Sequence, residues 1–117
     1  IVVHSRNAEK ECLETLSKYK VRAVMHCFLK HQVLPETLNA KYKVSLPTLK
    51  SKNRVKIIKR TPIEDLFCET DSPFLWTGRN EPANVKEVYE EIAKHKKLSF
   101  EKVEEKIDSN VSEFYRF

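Results

Sequence analysis

The sequence predicts an α/β fold in which a parallel sheet is joined by helical crossovers. Short apolar runs alternate with amphipathic stretches at βα spacing, four times over. Three of those runs lead into metal-binding residue types: Ile1-Val2-Val3-His4, Val24-Met25-His26, and Leu66-Phe67-Cys68 followed by Glu69-Thr70-Asp71. At 117 residues, 40% of them hydrophobic, the chain is the length of one domain and can bury a core.

Residues 1–4 read as a buried strand. Ser5 or Asn7 can cap a helix to about Tyr19, with Cys12, Leu13 and Leu16 on one face. Residues 21–27 form the second strand and 28–32 a loop, and Pro35 suits the first turn of a helix. Residues 42–46 alternate as a third strand that Pro47 ends. Residues 53–60 form a short basic helix with Val55, Ile57 and Ile58 inward, broken at Pro62. Residues 65–69 are the fourth strand, with Glu64 and Asp65 at the turn before it. A polar loop over 72–82 carries Trp76, Gly78 and Arg79. Asn84 caps a helix to about Lys97, with Val85, Val88, Tyr89 and Ile92 on one stripe. Ser99 caps another, and a last short helix begins near Asn110 and ends with Phe114, Tyr115 and Phe117.

Composition narrows the function classes. No apolar run approaches the roughly 20 residues that cross a bilayer. The three cysteines, Cys12, Cys27 and Cys68, are widely spaced with no C-x-x-C pair. That predicts reduced thiols in a cytoplasmic protein, not a disulfide framework or zinc knuckle. The chain starts without Met, inside a strand pattern, which predicts a piece of something longer; no signal peptide is evident. The net charge of +5 conceals an asymmetry, +10 over residues 1–60 and −5 over 61–117. Residues 41–60 hold 8 basic side chains and no acidic one. A polyanionic partner fits that bias, and so does a solvated helix face.

In a parallel sheet with helical crossovers, chemistry sits beyond the carboxyl ends of the strands. His4, His26 and Asp71 all fall there. Singly, each has a plain structural role: a satisfied histidine, or a cap for the turn at Ser72-Pro73. Together at equivalent strand ends they make an imidazole–carboxylate set of the kind that holds a hydrolytic divalent metal. Arg6, two residues past His4, can hold a phosphate on the same rim or serve as a surface arginine. Trp76 and Arg79 can stack a base and pair a phosphate, or Trp76 can close the end of the fold. His31 can face an anionic substrate; His95 sits in the Lys-rich end of a helix, where a cation suits the dipole.

His4-Ser5-Arg6, His26-Cys27-Phe28, Glu69-Thr70-Asp71-Ser72-Pro73, Arg79-Asn80-Glu81-Pro82-Ala83-Asn84 and the late Asn110 together carry a resemblance. In order and spacing the chain resembles the C-terminal half of the TatD family of metal-dependent deoxyribonucleases, over nearly its whole length. The resemblance implies half of a (β/α)8 TIM barrel of the amidohydrolase type: four βα units plus C-terminal helices. It implies one or two divalent ions, Mg²⁺ first with Mn²⁺ or Zn²⁺ as alternatives, and cleavage of DNA. His4 and His26 match the two histidines of one metal position. Asp71 matches the aspartate that serves the other and orients the attacking water, and Arg79 falls in the substrate-side loop.

Two departures stand out. The family's H-x-H pair and bridging glutamate have no counterpart here, so the missing N-terminal half of the barrel, or a second copy of this chain, becomes an expected partner beside DNA. Leu29-Lys30 also replace the Ser-Gly that usually follows the H-C-F motif. A full barrel takes about 250 residues and eight strands; four strands alone predict open sheet edges and an exposed apolar face. Two other readings stay open: a non-catalytic nucleic-acid binder using residues 41–60, and a hydrolase of small amides or esters.

Overall fold

In the computed structural model, which describes residues 1–116, the four apolar runs form short strands: β1 (Val2–His4), β2 (Val24–His26), β3 (Lys43–Leu46) and β4 (Leu66–Cys68). They pair in chain order, β1-β2-β3-β4, and every pairing is parallel. Parallel neighbours cannot be joined by a hairpin, so each link is a crossover that carries a helix. The helices are α1 (Glu9–Leu16), α2 (Leu34–Asn39), α3 (Lys52–Arg60), α4 (Lys86–Lys96) and α5 (Phe100–Tyr115).

Alternation along the strands separates two faces. Val3, Met25, Val44 and Leu66 share one row and meet the helices, packing with Ile57, Ile58, Val88, Ile92, Val103 and Ile107. Burying each of these aliphatic side chains is worth about 1.5–3 kcal/mol, which is what holds the helices on the sheet. On the opposite face, Val24 and Phe67 pack with Phe114 from the last turn of α5. The Phe67 and Phe114 rings meet edge-on at 5.5 Å, and the Arg22 guanidinium lies 4.7 Å from the Phe114 centroid. The expected exposed apolar face is therefore largely covered: Val24 and Phe67 are 2% and 4% exposed, while Ile1 and Val2 stay open at the β1 edge.

Several element ends differ from expectation. Helix α5 runs unbroken through Asn110, whose side chain donates to the carbonyls of Ile63 and Leu66 instead of starting a new helix. The expected role of Phe117 lies outside the described residues. Helix α1 starts after Ala8 with no side-chain cap, where Asn7 takes a left-handed turn with φ 56°, and it ends at Leu16. Helix α3 starts a residue early, capped by Ser51, whose hydroxyl accepts the Arg54 N–H. Asn84 does not cap α4; its amide donates to Asn80 from a 3₁₀ turn, Pro82–Val85. Ser99 caps α5 as expected. No helix among the described residues is long and apolar enough to cross a membrane.

The largest departure is Arg54. It belongs to the basic stretch yet is wholly buried, with Nε on the Glu91 carboxylate and Nη1 donating to the Pro47 carbonyl. Lys43 pairs with Asp65 and Lys50 with Glu87, so three of the eight cations of residues 41–60 are engaged within the fold.

Candidate metal centre

All four strands point the same way, so the residues that follow them gather on one rim. His4 and His26 close β1 and β2 and are direct register partners, with ring centroids 5.6 Å apart. Cys27 and Asp71 follow their strands in left-handed conformations, φ 51° and 56°. Such φ values are uncommon for residues with a Cβ and turn the chain sharply. At Asp71 the turn is closed by the Phe74 N–H, which donates to the Asp71 carbonyl over 2.9 Å.

Glu69 orders this rim. One carboxylate oxygen accepts the Cys27 N–H, and the other lies 2.7 Å from His26 Nδ1. An ionised carboxylate only accepts, so in the neutral ring the proton sits on Nδ1 and Nε2 keeps its lone pair. A carboxylate behind an imidazole in this way fixes the tautomer and raises the basicity of the other nitrogen. His26 Nε2 faces Asp71 Oδ1 at 3.5 Å, which is longer than an N–H···O hydrogen bond. Two ligands each about 2.1 Å from one tetrahedral ion stand about 3.4 Å apart. The spacing and donor chemistry therefore suit a cation shared by His26 and Asp71, with His4 beside it. Among the described residues, no group of three or more His, Cys, Asp or Glu is close enough to hold a metal alone. The set fits a metal as a partial set, one that needs further ligands.

A cleft of about 280 Å³ opens over this rim, lined by His4, Arg6, Asn7, Cys27, Lys30 and Asp71 among others. The Cys27 thiol is pushed up to about 11 by burial and by the Glu69 and Asp71 charges, against the pull of Arg6. It stays a neutral thiol near pH 7, so it is not a ready nucleophile. Burial raises the Cys68 thiol as well. All three cysteines are free.

Trp76 lines a neighbouring cleft of about 470 Å³ with Leu49, Lys50 and Glu87, and Leu75 borders both clefts. Arg79 is exposed and sits apart from both, in a depression with Pro73 and Pro82. His31 opens a 3₁₀ turn, His31–Val33, and does not line the first cleft, whereas Leu29 and Lys30 do. His95 is half-buried in the last turn of α4. Glu64 and Asp65 form the turn before β4, as expected.

Sequence reasoning missed Glu69 as an orienting group. The available signal was its i, i+2 spacing from Asp71, which sets two carboxylates on one side of an extended chain. It also missed Thr48 and Asn80, both buried polar residues bound to the loop after β4.

A model of the family described as TatD related DNase matches residues 1–116. An uncharacterized metal-dependent hydrolase of Methanocaldococcus jannaschii is 35% identical over 99% of this chain and 49% of its own length. A deoxyribonuclease of Homo sapiens is 32% identical over 97% of this chain and 44% of its own. The crystal structure of a TatD family hydrolase from Entamoeba histolytica superposes with a TM-score of 0.84 at 20% identity, covering 97% of this chain and 50% of that one. That likeness is one of fold: the four βα units are those of a partial (β/α)8 barrel. The chain spans about half the length of the curated relatives it matches.

Proposed function

The chain belongs to the TatD related DNase family, and on that premise we propose that the protein carrying it is a divalent-metal-dependent hydrolase of DNA phosphodiester bonds. One observation carries the reading: Glu69 holds His26 Nδ1 while Nε2 faces Asp71 across a gap of ligand-to-ligand length, 3.5 Å. In this reading His4 and His26 are imidazole ligands. Asp71 is a carboxylate ligand and takes a proton from the attacking water. The bound ion supplies Lewis acidity and a more acidic water.

Arg6, exposed at the mouth of the cleft, offsets phosphate charge. Trp76 in the adjoining cleft offers a face for a base, and Arg79, farther out, meets the strand beyond the scissile bond. The remaining ligands come from another segment of the protein, the N-terminal half of the barrel, or from a second copy of this chain. Names borne by relatives, a deoxyribonuclease and a metal-dependent hydrolase, support the class of reaction. A mixed imidazole–carboxylate set accepts Mg²⁺, Mn²⁺ or Zn²⁺.

The test is cleavage of single-stranded DNA by the intact protein over titrations of each of these ions. The expected result is cleavage that saturates with metal, is lost in Asp71→Asn and persists in Lys56→Ala. DNA binding without cleavage at any metal concentration would instead indicate a nucleic-acid-binding protein. Ester cleavage by the zinc form with DNA untouched would indicate a small-molecule hydrolase.

A further inference from the structure

The turn that presents Asp71 has bonds of its own, from the Phe74 N–H to the Asp71 carbonyl and from the Ser72 N–H to the Thr70 hydroxyl, and it is held from outside as well. Its carbonyls converge on two side chains from elsewhere in the chain. Asn80 Nδ2 lies 2.8 Å from the Thr70 carbonyl, 2.6 Å from the Phe74 carbonyl and 2.8 Å from the Thr48 hydroxyl. The Asn80 backbone N–H donates to the Pro73 carbonyl at 3.0 Å. Thr48 Oγ1 reaches the Thr70 carbonyl at 3.1 Å and the Leu75 carbonyl at 3.2 Å. Thr48 is 1% exposed and Asn80 2% exposed, so water does not compete for these bonds.

The Thr70 carbonyl belongs to the same peptide plane as the Asp71 N–H. Two side-chain donors on that oxygen fix the plane, and the plane sets where the left-handed Asp71 directs its carboxylate. We infer that Thr48 and Asn80 are positioning residues: together they clasp the loop after β4 and hold Asp71 opposite His26. The clasp is itself anchored. Arg54, buried and paired with Glu91, donates Nη1 to the carbonyl of Pro47, the residue before Thr48. Asn80 Oδ1 accepts from the Glu81 N–H and the Asn84 amide, which ties the clasp to the turn leading into α4. Helices α3 and α4 therefore hold the loop through hydrogen-bonded groups, and a shift of either is passed to Asp71.

The catalytic consequence rests on the reading of Asp71 as ligand and base; the structural consequence does not. Thr48→Val keeps shape and removes the hydroxyl, and Thr48→Ser restores the hydroxyl. In the intact protein, Thr48→Val is expected to speed hydrogen exchange of the Phe74 and Asn80 amides at least about tenfold, since a local opening replaces a locked turn. Exchange of the Ile92 amide, in the middle of α4, stays unchanged. DNA cleavage is expected to lose about a hundredfold in kcat with little change in KM, the order of loss a misplaced reacting group produces. Mn²⁺ binding, followed by calorimetry, weakens in parallel. Thr48→Ser restores all three. If Thr48→Val leaves Phe74 and Asn80 exchange as in the wild type, or if Thr48→Ser fails to rescue, the clasp does not position Asp71. If the wild type cleaves no DNA, the functional reading fails, while amide exchange still decides the clasp.

Discussion

Replacing Glu69 by Gln tests the arrangement on which the metal centre depends. The substitution is isosteric. The Gln carbonyl can still accept the Cys27 N–H, but its amide nitrogen then faces His26 Nδ1, where Glu69 places a carboxylate oxygen at 2.7 Å. A donor at that place makes Nδ1 an acceptor and moves the ring proton to Nε2. Nε2 would then hold a hydrogen toward Asp71 in place of the lone pair a cation requires. Losing a partner of this kind costs about 10–100-fold in metal affinity, equivalent to about 1.4–2.8 kcal/mol. Folding suffers less, because a charge-assisted hydrogen bond becomes a neutral one at a cost of about 1 kcal/mol. The assay is Mn²⁺ calorimetry on wild type and Glu69→Gln well below their melting temperatures. Imidazole ¹⁵N spectra report which nitrogen of His26 carries the proton. Equal Mn²⁺ affinity in the two proteins, with the proton on Nδ1 in both, would show that Glu69 does not set the state of His26.

Two further outcomes follow from buried charge and from a thiol. Glu91→Ala leaves the Arg54 guanidinium, 0% exposed, without its carboxylate, and is expected to cost about 3–5 kcal/mol in urea unfolding. Arg54→Met, which removes the charge and keeps the volume, is expected to cost much less; equal losses would mean that the pair's charge is immaterial. Cys27 is expected to resist iodoacetamide at pH 8 and to react with a midpoint of about 11. Between its ordinary value of 9.0 and about 11 the native thiol keeps a proton that the unfolded chain has lost. This group therefore withdraws stability as pH rises through that window, and Cys27→Ser should lose less stability there than the wild type. A midpoint near 9.0 would show that Cys27 is not buried beside Glu69 and Asp71 as described.

Much of the fold was legible because apolar runs and proline breaks are local signals. The four strands formed where the runs lie, and the placement of His4 and His26 at strand ends followed from direction alone. Element ends were less legible. The pattern at Asn110 looks like a helix start, and only the carbonyls of Ile63 and Leu66, brought close by the sheet, give that side chain another partner. Arg54 lies in a stretch whose composition suits a basic surface. Its i, i+3, i+4 spacing to Ile57 and Ile58 put it on the buried face of α3, and Glu91 made the burial tolerable. The clasp of Thr48 and Asn80 joins residues 32 positions apart and had no local signature. The same holds for Glu69: its neighbour in sequence is Thr70, but its partners are His26 and Cys27, across the rim.

The most direct measurement is anomalous diffraction from crystals of the intact protein grown with Mn²⁺. An ion is expected between His26 Nε2 and Asp71, close to His4, with Glu69 still on His26 Nδ1. An ion bound elsewhere, or His26 Nε2 turned away from the ion while Asp71 hydrogen-bonds it directly, would contradict this arrangement.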